Sequence, residues 1–454
     1  MKLTLIKPNL GRRGARPYVD SGRMEPLQLG VLAGLTPPDV EVVLHDDRME
    51  PIPFDTPTDL VAITVETFTA RRAYEIAEAY RRRGVRVVMG GMHPTLAPDE
   101  VAGYCDAVVT GDAEAIWPGL IADAAAGRLR PRYEGTGSGR PQAGVRTRRD
   151  LFRGKGYLPI TLLQYTRGCP HGCTYCATSV FSGRSHRHRE VGEVVEEIRA
   201  QRRRYLFFVD DNIVADHEAA KELFRALIPL RVRWVSQASI DMLHDRELMD
   251  LMVRSGCQGH VIGFESLTDA SLRGMHKAVN RTEASDRYAR AIDQLRCLGL
   301  QTWAAFTLGH DGDTLDSIRA TADFAIANKF TFAAYNILMP YPGTPLFAQL
   351  DAAGRLLYDG RWWLHPDYRF NHAAFVPARM SPDELTRAAF ECRARTNGVR
   401  SILYRLAEPR TNLRSPVRFA NFAAYNPLFR AEVFKKQDMA LGHEPATTMP
   451  RTSR

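Results

Sequence analysis

The apolar positions of residues 1–125 come in short runs, Leu3–Ile6, Glu41–Leu44, Leu60–Thr64, Val85–Met89 and Ala107–Thr110, each long enough for one buried strand. Between them, Gln28–Leu35, Ala70–Arg83 and Pro98–Tyr104 repeat their apolar residues at helical spacing. Buried strands alternating with helices predict an α/β fold with a doubly wound parallel sheet, which binds ligands at the carboxyl ends of its strands. Two of those ends are Gly90-Gly91-Met92-His93-Pro94 and Gly111-Asp112-Ala113-Glu114. Paired glycines straight after a strand let backbone approach a bulky ligand, and they are equally ordinary turn chemistry.

Residues 127–160 lose the alternation. Glycines, prolines and arginines dominate, and the stretch reads as a linker. The alternation resumes with strands predicted at Thr161–Tyr165, Leu206–Asp210, Trp234–Ala238, His260–Phe264, Trp303–Thr307 and Ala333–Met339. Helices are predicted between them at Val191–Arg204, Ala215–Leu227, Asp245–Ser255, Thr282–Leu298 and Leu315–Asn328. Six strand–helix units, two short of a closed eightfold barrel, predict a partial (β/α)6 barrel of the TIM type. After Gly354 an aromatic run from Trp362 to Phe370 either walls a hydrophobic pocket or packs against the barrel, and a helix is predicted from Pro382 to about Leu406. The division is therefore 1–126, a linker 127–160, a barrel 161–354, and a small helical region 355–454 that caps the substrate site and ends in a basic tail.

At 44% hydrophobic and 25% charged, the chain is neither globally disordered nor fibrous. It has no run of eighteen apolar residues, and its first residues read as a strand, not a signal peptide. With only seven cysteines, unevenly placed, a disulfide scaffold is excluded and a cytoplasmic enzyme is expected. The net charge of +9 is uneven: residues 1–150 hold 20 basic and 20 acidic side chains, whereas 379–454 hold 14 and 7. This tail reads as a solvated Arg-rich surface or a contact for an anionic membrane surface; a nucleic-acid partner is not expected.

The most informative stretch is Tyr165-Thr166-Arg167-Gly168-Cys169-Pro170-His171-Gly172-Cys173-Thr174-Tyr175-Cys176, directly after the first strand of the second half. Three thiolates on one loop suit a [4Fe–4S] cluster with one iron left open. A structural zinc needs a fourth ligand, which His171, His186 or His188 could supply; that alternative describes a non-catalytic zinc-binding protein. Cys105, Cys257, Cys297 and Cys392 read as buried structural thiols.

The C-x3-C-x2-C loop after a barrel's first strand resembles the radical SAM superfamily. The resemblance implies that Cys169, Cys173 and Cys176 hold the cluster and that its open iron binds S-adenosylmethionine. Reductive cleavage then yields methionine and a 5′-deoxyadenosyl radical that abstracts hydrogen from substrate. Tyr175 matches the aromatic near the adenine. Phe207-Phe208-Val209-Asp210-Asp211-Asn212, Trp234-Val235-Ser236-Gln237-Ala238-Ser239 and Ile262-Gly263-Phe264-Glu265-Ser266 resemble the next three strand ends. They make Glu265 a candidate for the ribose, and Asp210 and Gln237 for the S-adenosylmethionine or substrate pocket. Pro340-Tyr341-Pro342-Gly343-Thr344-Pro345 resembles the turn after the sixth strand. His310, in the loop after the fifth strand, either reaches substrate or belongs to a helix-capping loop with Asp313 as the cap.

Met24–Gly30 and the two glycine-bearing strand ends resemble the subgroup whose Rossmann-like first domain binds cobalamin. Gly90, Gly91, His93, Gly111 and Glu114 are then its candidate contacts, with His93 either touching cobalamin or capping a turn. The D-x-H-x-x-G sequence that supplies a histidine to cobalt in many B12 proteins is absent, as it commonly is in this subgroup. The resemblance implies a C-methyltransferase acting on an unactivated carbon of a small-molecule or lipid-like substrate. The alternative keeps the cofactors but performs a cyclisation, rearrangement or dehydrogenation. Either needs an external electron donor such as a flavodoxin or ferredoxin. The basic, aromatic segment from Ser401 to Lys436 suits a membrane-associated substrate, or equally a helical domain closing the active site.

Overall fold

The computed structural model describes residues 1–443 apart from 15, 138 and 281–286. Six strands form the first parallel sheet: β1 (Lys2–Lys7), β2 (Glu41–Asp46), β3 (Leu60–Thr64), β4 (Arg86–Gly90), β5 (Ala107–Thr110) and β6 (Arg132–Glu134). Their spatial order is β2-β1-β3-β4-β5-β6. The order reverses at the β1–β3 pair, where a crevice forms beyond the carboxyl ends of the strands. The second parallel sheet runs in chain order: β7 (Thr161–Leu163), β8 (Tyr205–Phe208), β9 (Arg233–Ala238), β10 (Cys257–Glu265), β11 (Gln301–Leu308) and β12 (Phe332–Ile337). Near-continuous apolar runs are what a parallel sheet covered on both faces requires, and these strands carry the buried cores of both halves.

Three expectations need correction. The linker at 127–160 contains β6, which pairs with β5 and extends the first sheet to Glu134. Arg132-Tyr133-Glu134 is too short to show alternation; only Tyr133 is buried, its hydroxyl donating to Asp123 at 2.9 Å. The long helix expected from Pro382 breaks at Asn397-Gly398, an ordinary stop signal. It leaves two helices, Pro382–Thr396 and α1 (Val399–Leu406), followed by α2 (Pro416–Lys436). Cys105, Cys257 and Cys392 are buried as expected, whereas Cys297 is exposed. The helix ending at Leu298 is described from Arg287, and its expected first turn lies outside the described residues.

The aromatic run 362–370 neither walls a pocket nor packs on the second sheet. Trp362, Trp363 and Tyr368 are buried in the core of the first sheet with Ile6, Val61, Ile63 and Tyr74. Trp362 donates to the Pro340 carbonyl at 2.9 Å, and Trp363 donates to Glu100 at 2.9 Å, so the chain leaving β12 is stapled back onto the first sheet.

The last two helices do not cap the mouth of the second sheet. Arg418 donates to the carbonyls of Cys257 and Gln258 where β10 begins, and Gln301, the first residue of β11, donates to the Arg418 carbonyl at 3.1 Å. Arg405, fully buried, donates to the Phe330 and Thr331 carbonyls at 2.8 Å just before β12, and to the Thr396 carbonyl and Asn426 Oδ1 at 3.0 and 2.9 Å. Both helices therefore close the amino-terminal base of the sheet. Among the described residues no helix is long and apolar enough to cross a membrane.

Four buried acceptors converge on one guanidinium. Arg405→Ala leaves three of them unpaired beside a cavity, the Thr331 carbonyl keeping Asn426 as its donor, and unfolding in denaturant should show a loss of about 3–5 kcal/mol. An unchanged midpoint would mean that the base does not depend on this contact.

Candidate functional site

The cysteine loop has almost no regular structure of its own. Thr166-Arg167 pairs with Arg187-His188, and one helical turn, Ala177–Phe181, follows the last cysteine. Side chains from β8's carboxyl end hold it. Asp210 is fully buried and its Oδ1 accepts the backbone N–H of Tyr165 at 2.9 Å and that of Thr166. Asp211 accepts the N–H of Gly168 at 3.1 Å and the hydroxyl of Thr178 at 3.1 Å, one on each side of the cysteines. Gly168 has φ of 86°, and a Cβ there would lie 2.2 Å from the Ser185 carbonyl oxygen, so only glycine fits. Further along, the Thr174 N–H donates to the Met275 carbonyl at 3.1 Å, and the Thr174 carbonyl accepts from Leu346 at 3.0 Å.

Cys173 is buried, and Cys169 and Cys176 are half-buried. Burial pushes the Cys173 thiol up to about 11 and Cys169 upward. A metal that takes them as thiolates must displace those protons. Among the described residues no three His, Cys, Asp or Glu side chains are grouped to hold a single ion. A cluster asks for something different, because each thiolate binds its own iron and the sulfurs ring the cluster. The donor set fits a [4Fe–4S] cluster.

Across from the cysteines stands Glu265. A register shift near the end of β10 and a left-handed backbone (φ 64°) at this non-glycine residue turn its carboxylate inward. Oε2 accepts the Thr307 hydroxyl at 2.7 Å, and Oε1 meets the Lys277 ammonium at 3.3 Å. Burial opposes the Lys277 charge, but Glu265 and the thiols of Cys173 and Cys169 outweigh it and hold its pKa above the usual lysine range. Tyr175 packs at the same place, its phenol pushed up by burial and by Glu265, with its ring 6.0 Å from that of His310. The His310 imidazole is buried, with Nε2 lacking a partner, and burial lowers its pKa. Asp313 binds the N–H groups of Gly309 and His310 at 2.9 and 3.1 Å; the cap of the next helix is Thr314. Gln237 is turned sideways, donating to the Asp210 carbonyl at 3.3 Å.

A cavity of about 330 Å³ separates this loop from the first sheet. One wall is the sheet edge with Gly90, Gly91, Gly111 and Glu114; the other is Arg167, Gly168, Thr178 and Asp211. Its inner end is apolar, between Leu27, Val31, Val88 and Trp117. The carboxyl ends of β1 and β3 carry a further ion pair. The Glu66 carboxylate, 57% open, contacts the buried Lys7 ammonium at 2.5 Å, which holds Glu66 below the usual range. The Tyr341 phenol is raised by burial, and further by Glu66 and Cys176. Two acids of the first sheet clamp the approach to the cysteine loop. Arg167 meets Asp112 at 2.9 Å and Glu114 at 2.7 Å, and Arg187 meets Asp112 at 2.6 Å.

Sequence reasoning brought Cys169, Cys173, Cys176, Tyr175 and Glu265 to one place, and Gly90, Gly91, Gly111 and Glu114 to one wall of the cavity. His93 is a correction. Its imidazole is fully buried on the far side of the sheet edge, 3.2 Å from Glu100 and against Trp363, so it lies in the core and lines no cavity. Asp210 holds backbone in place, and Gln237 packs over it. Gly111 approaches its own chain: a Cβ there would meet the Gly135 carbonyl oxygen at 2.6 Å. Sequence reasoning missed Asp211, Lys277, Thr307, Glu66 and the Arg167–Arg187 clamp. Of these only Asp211 carried a signal, being the second acid of a strand-end Asp-Asp pair.

The pattern of the radical SAM superfamily matches residues 163–325. Bacteriochlorophyllide d C-12(1)-methyltransferase of Chlorobaculum tepidum is 32% identical over 381 residues, 81% of each chain. Bacteriochlorophyllide d C-8(2)-methyltransferase of the same organism is 29% identical over 360 residues, 74% of this chain and 78% of its own. Among solved structures, the radical S-adenosylmethionine methyltransferase TsrM of Kitasatospora setae, with cobalamin and a [4Fe–4S] cluster bound, has the same fold at a TM-score of 0.62 and 20% identity, over 85% of this chain and 81% of that one.

Burial raises the Asp210 carboxyl from 3.8 to about 7, against the pull of its two N–H donors. The native state then keeps a proton that the unfolded chain has lost, so its contribution to stability falls as pH rises from about 4 to about 7 and is flat above. Asp210→Asn keeps the Oδ1 acceptor without that dependence. Unfolding of the metal-free protein should show the variant gaining on the wild type across that window, whereas parallel curves would place the Asp210 pKa elsewhere.

Proposed function

The chain belongs to the radical SAM superfamily, in its cobalamin-binding-domain subgroup, and on that premise we propose that it is a C-methyltransferase acting on an unactivated carbon of a small-molecule substrate. In this reading the first sheet is the Rossmann-like cobalamin domain and the second the partial (β/α)6 barrel. The observation that carries the proposal is the cavity at their seam, with the glycine-bearing strand ends on one side and the flanks of the cysteine loop on the other. The cavity would hold such a group beside the loop whose Cys169, Cys173 and Cys176 would hold the cluster. The residues suit cobalamin: the inner end is apolar, Gly90 and Gly91 offer bare backbone at the rim, and no histidine lines the cavity.

When bound, the cluster, S-adenosylmethionine and cobalamin supply reductive cleavage and the transferable methyl group. This chain's residues position and exclude. Glu265, fixed by Thr307 and Lys277, is assigned to the ribose, and Tyr175 to the adenine. Asp210 and Asp211 hold the cysteine loop in shape, with Gln237 packed behind them. The clamp of Arg167 and Arg187 on Asp112 and Glu114 keeps water from the seam and fixes the distance across it. The Glu66–Lys7 pair and Tyr341 face the space a substrate would enter. A cytoplasmic location and an external one-electron donor belong to the same proposal.

Anaerobically purified protein from cobalamin-fed cells should carry about four irons and one cobalt per chain. Methyl-labelled S-adenosylmethionine, first with bacteriochlorophyllide d as substrate, should pass label to product. Cys173→Ala should abolish cleavage, and an intact cleavage rate in that variant would sink the assignment. Cleavage with a changed but unlabelled product would instead establish the cyclising, rearranging or dehydrogenating alternative.

A further inference from the structure

The two helices at the base of the second sheet are inside out. A surface helix ordinarily buries its apolar stripe and exposes its charges. In α1 the buried residue is Arg405, whereas Val399, Leu403 and Tyr404 face solvent, Leu403 at 61% and Tyr404 at 50% exposure. In α2 the buried residues are Arg418, Phe422, Asn426 and Glu432, three of the four polar, whereas Phe419 is 45% exposed, with Ala420, Ala423 and Ala424 exposed beside it. Among the described residues nine large apolar side chains are exposed, and six of them lie in these helices and the loop joining them. The inward polar residues meet one another: Arg405 binds Asn426, and Asn412 donates to the Arg405 carbonyl at 2.8 Å. Both apolar stripes therefore look away from the same end of the sheet, opposite the cysteine loop.

The charges around the stripes decide what covers them. Between 399 and 436 the acids are Glu408 and Glu432, and both are buried. Arg400, Arg410, Arg414 and Lys435 are exposed, Arg410 in an ion pair with Asp293 of a neighbouring helix at 2.8 Å. A second copy of this chain would bring the same cations against these, which disfavours a symmetric dimer. An anionic lipid surface offers an apolar phase to the stripes and negative charge to the rim. We propose that this base docks the enzyme onto an anionic membrane surface, lying in the interface without spanning it, with the cysteine loop facing away from the bilayer.

The test is flotation of the full, anaerobically purified protein with vesicles of pure phosphatidylcholine or of phosphatidylcholine with one third phosphatidylglycerol. The protein should float with the anionic vesicles, remain below with the neutral ones, and be released by salt. Leu403→Glu and Phe419→Glu alter exposed side chains, so both should retain iron content and thermal midpoint while losing flotation. Arg400→Gln should weaken binding about fivefold. No flotation of the wild type at low salt would overturn the proposal, as would equal binding to both vesicles. A lipid-free dimer that Leu403→Glu dissociates would also overturn it, by showing that a second copy covers the face. None of these readouts depends on methyl transfer or on cobalamin.

Discussion

Three sulfurs that must surround one cluster sit on a loop that cannot hold its own shape, and the rest of the architecture answers to that constraint. Irregular backbone buried between two sheets needs partners for its N–H and C=O groups. Here they come from three directions. Asp210 and Asp211 reach across from the neighbouring strand, the Met275 carbonyl comes from the segment after β10, and the Leu346 N–H comes from the turn after β12. The loop is thus a product of the whole second sheet, and a defect in β8, β10 or β12 reaches the cysteines directly.

The same economy sets the distance between the halves. Asp112 and Glu114 end the fifth strand of the first sheet, and Arg167 lies two residues before Cys169. Partly buried, and with Asp112 bound through both oxygens by two arginines, this clamp is worth more than a surface ion pair, whose median contribution is about 0–1 kcal/mol. It holds Asp112 below the usual carboxylate range against the cost of burial. The aromatic staple of Trp362 and Trp363 does equivalent work with apolar area. A polar clamp and an apolar staple together tie the second half of the chain to the first sheet.

What was legible in the sequence was local. Apolar runs marked the principal strands of both sheets, and the cysteine spacing marked the loop. Glu265 was legible only because Glu265-Ser266 ends a strand; its left-handed backbone and its two partners, 12 and 42 residues away, were not. The clamp joins residues about fifty to seventy-five positions apart, and Trp363 meets Glu100 across 263 positions. Such pairs leave no periodic trace, and β6 left none because three residues do not make a period. His93 misled for a related reason: a histidine after paired glycines at a strand end has the neighbours of a ligand contact, while its burial against Trp363 is decided by a segment far downstream.

The base of the second sheet misled in the opposite sense. The aromatic and basic residues after Ser401 suited either a membrane-associated substrate or a helical domain closing the active site, and the helices they form lie at the other end of the sheet from that site. The buried arginines explain why the helices turn the other way. Strands β10 and β12 begin with carbonyl groups at the sheet's base that need donors, and Arg418 and Arg405 supply two each from a single side chain. Lysine or leucine at these positions would leave most of those carbonyls unpaired. Once the arginines are committed inward, the helical period fixes which residues face out, and those are Leu403, Tyr404 and Phe419. The exposed apolar face is therefore the geometric counterpart of satisfying the sheet's own backbone.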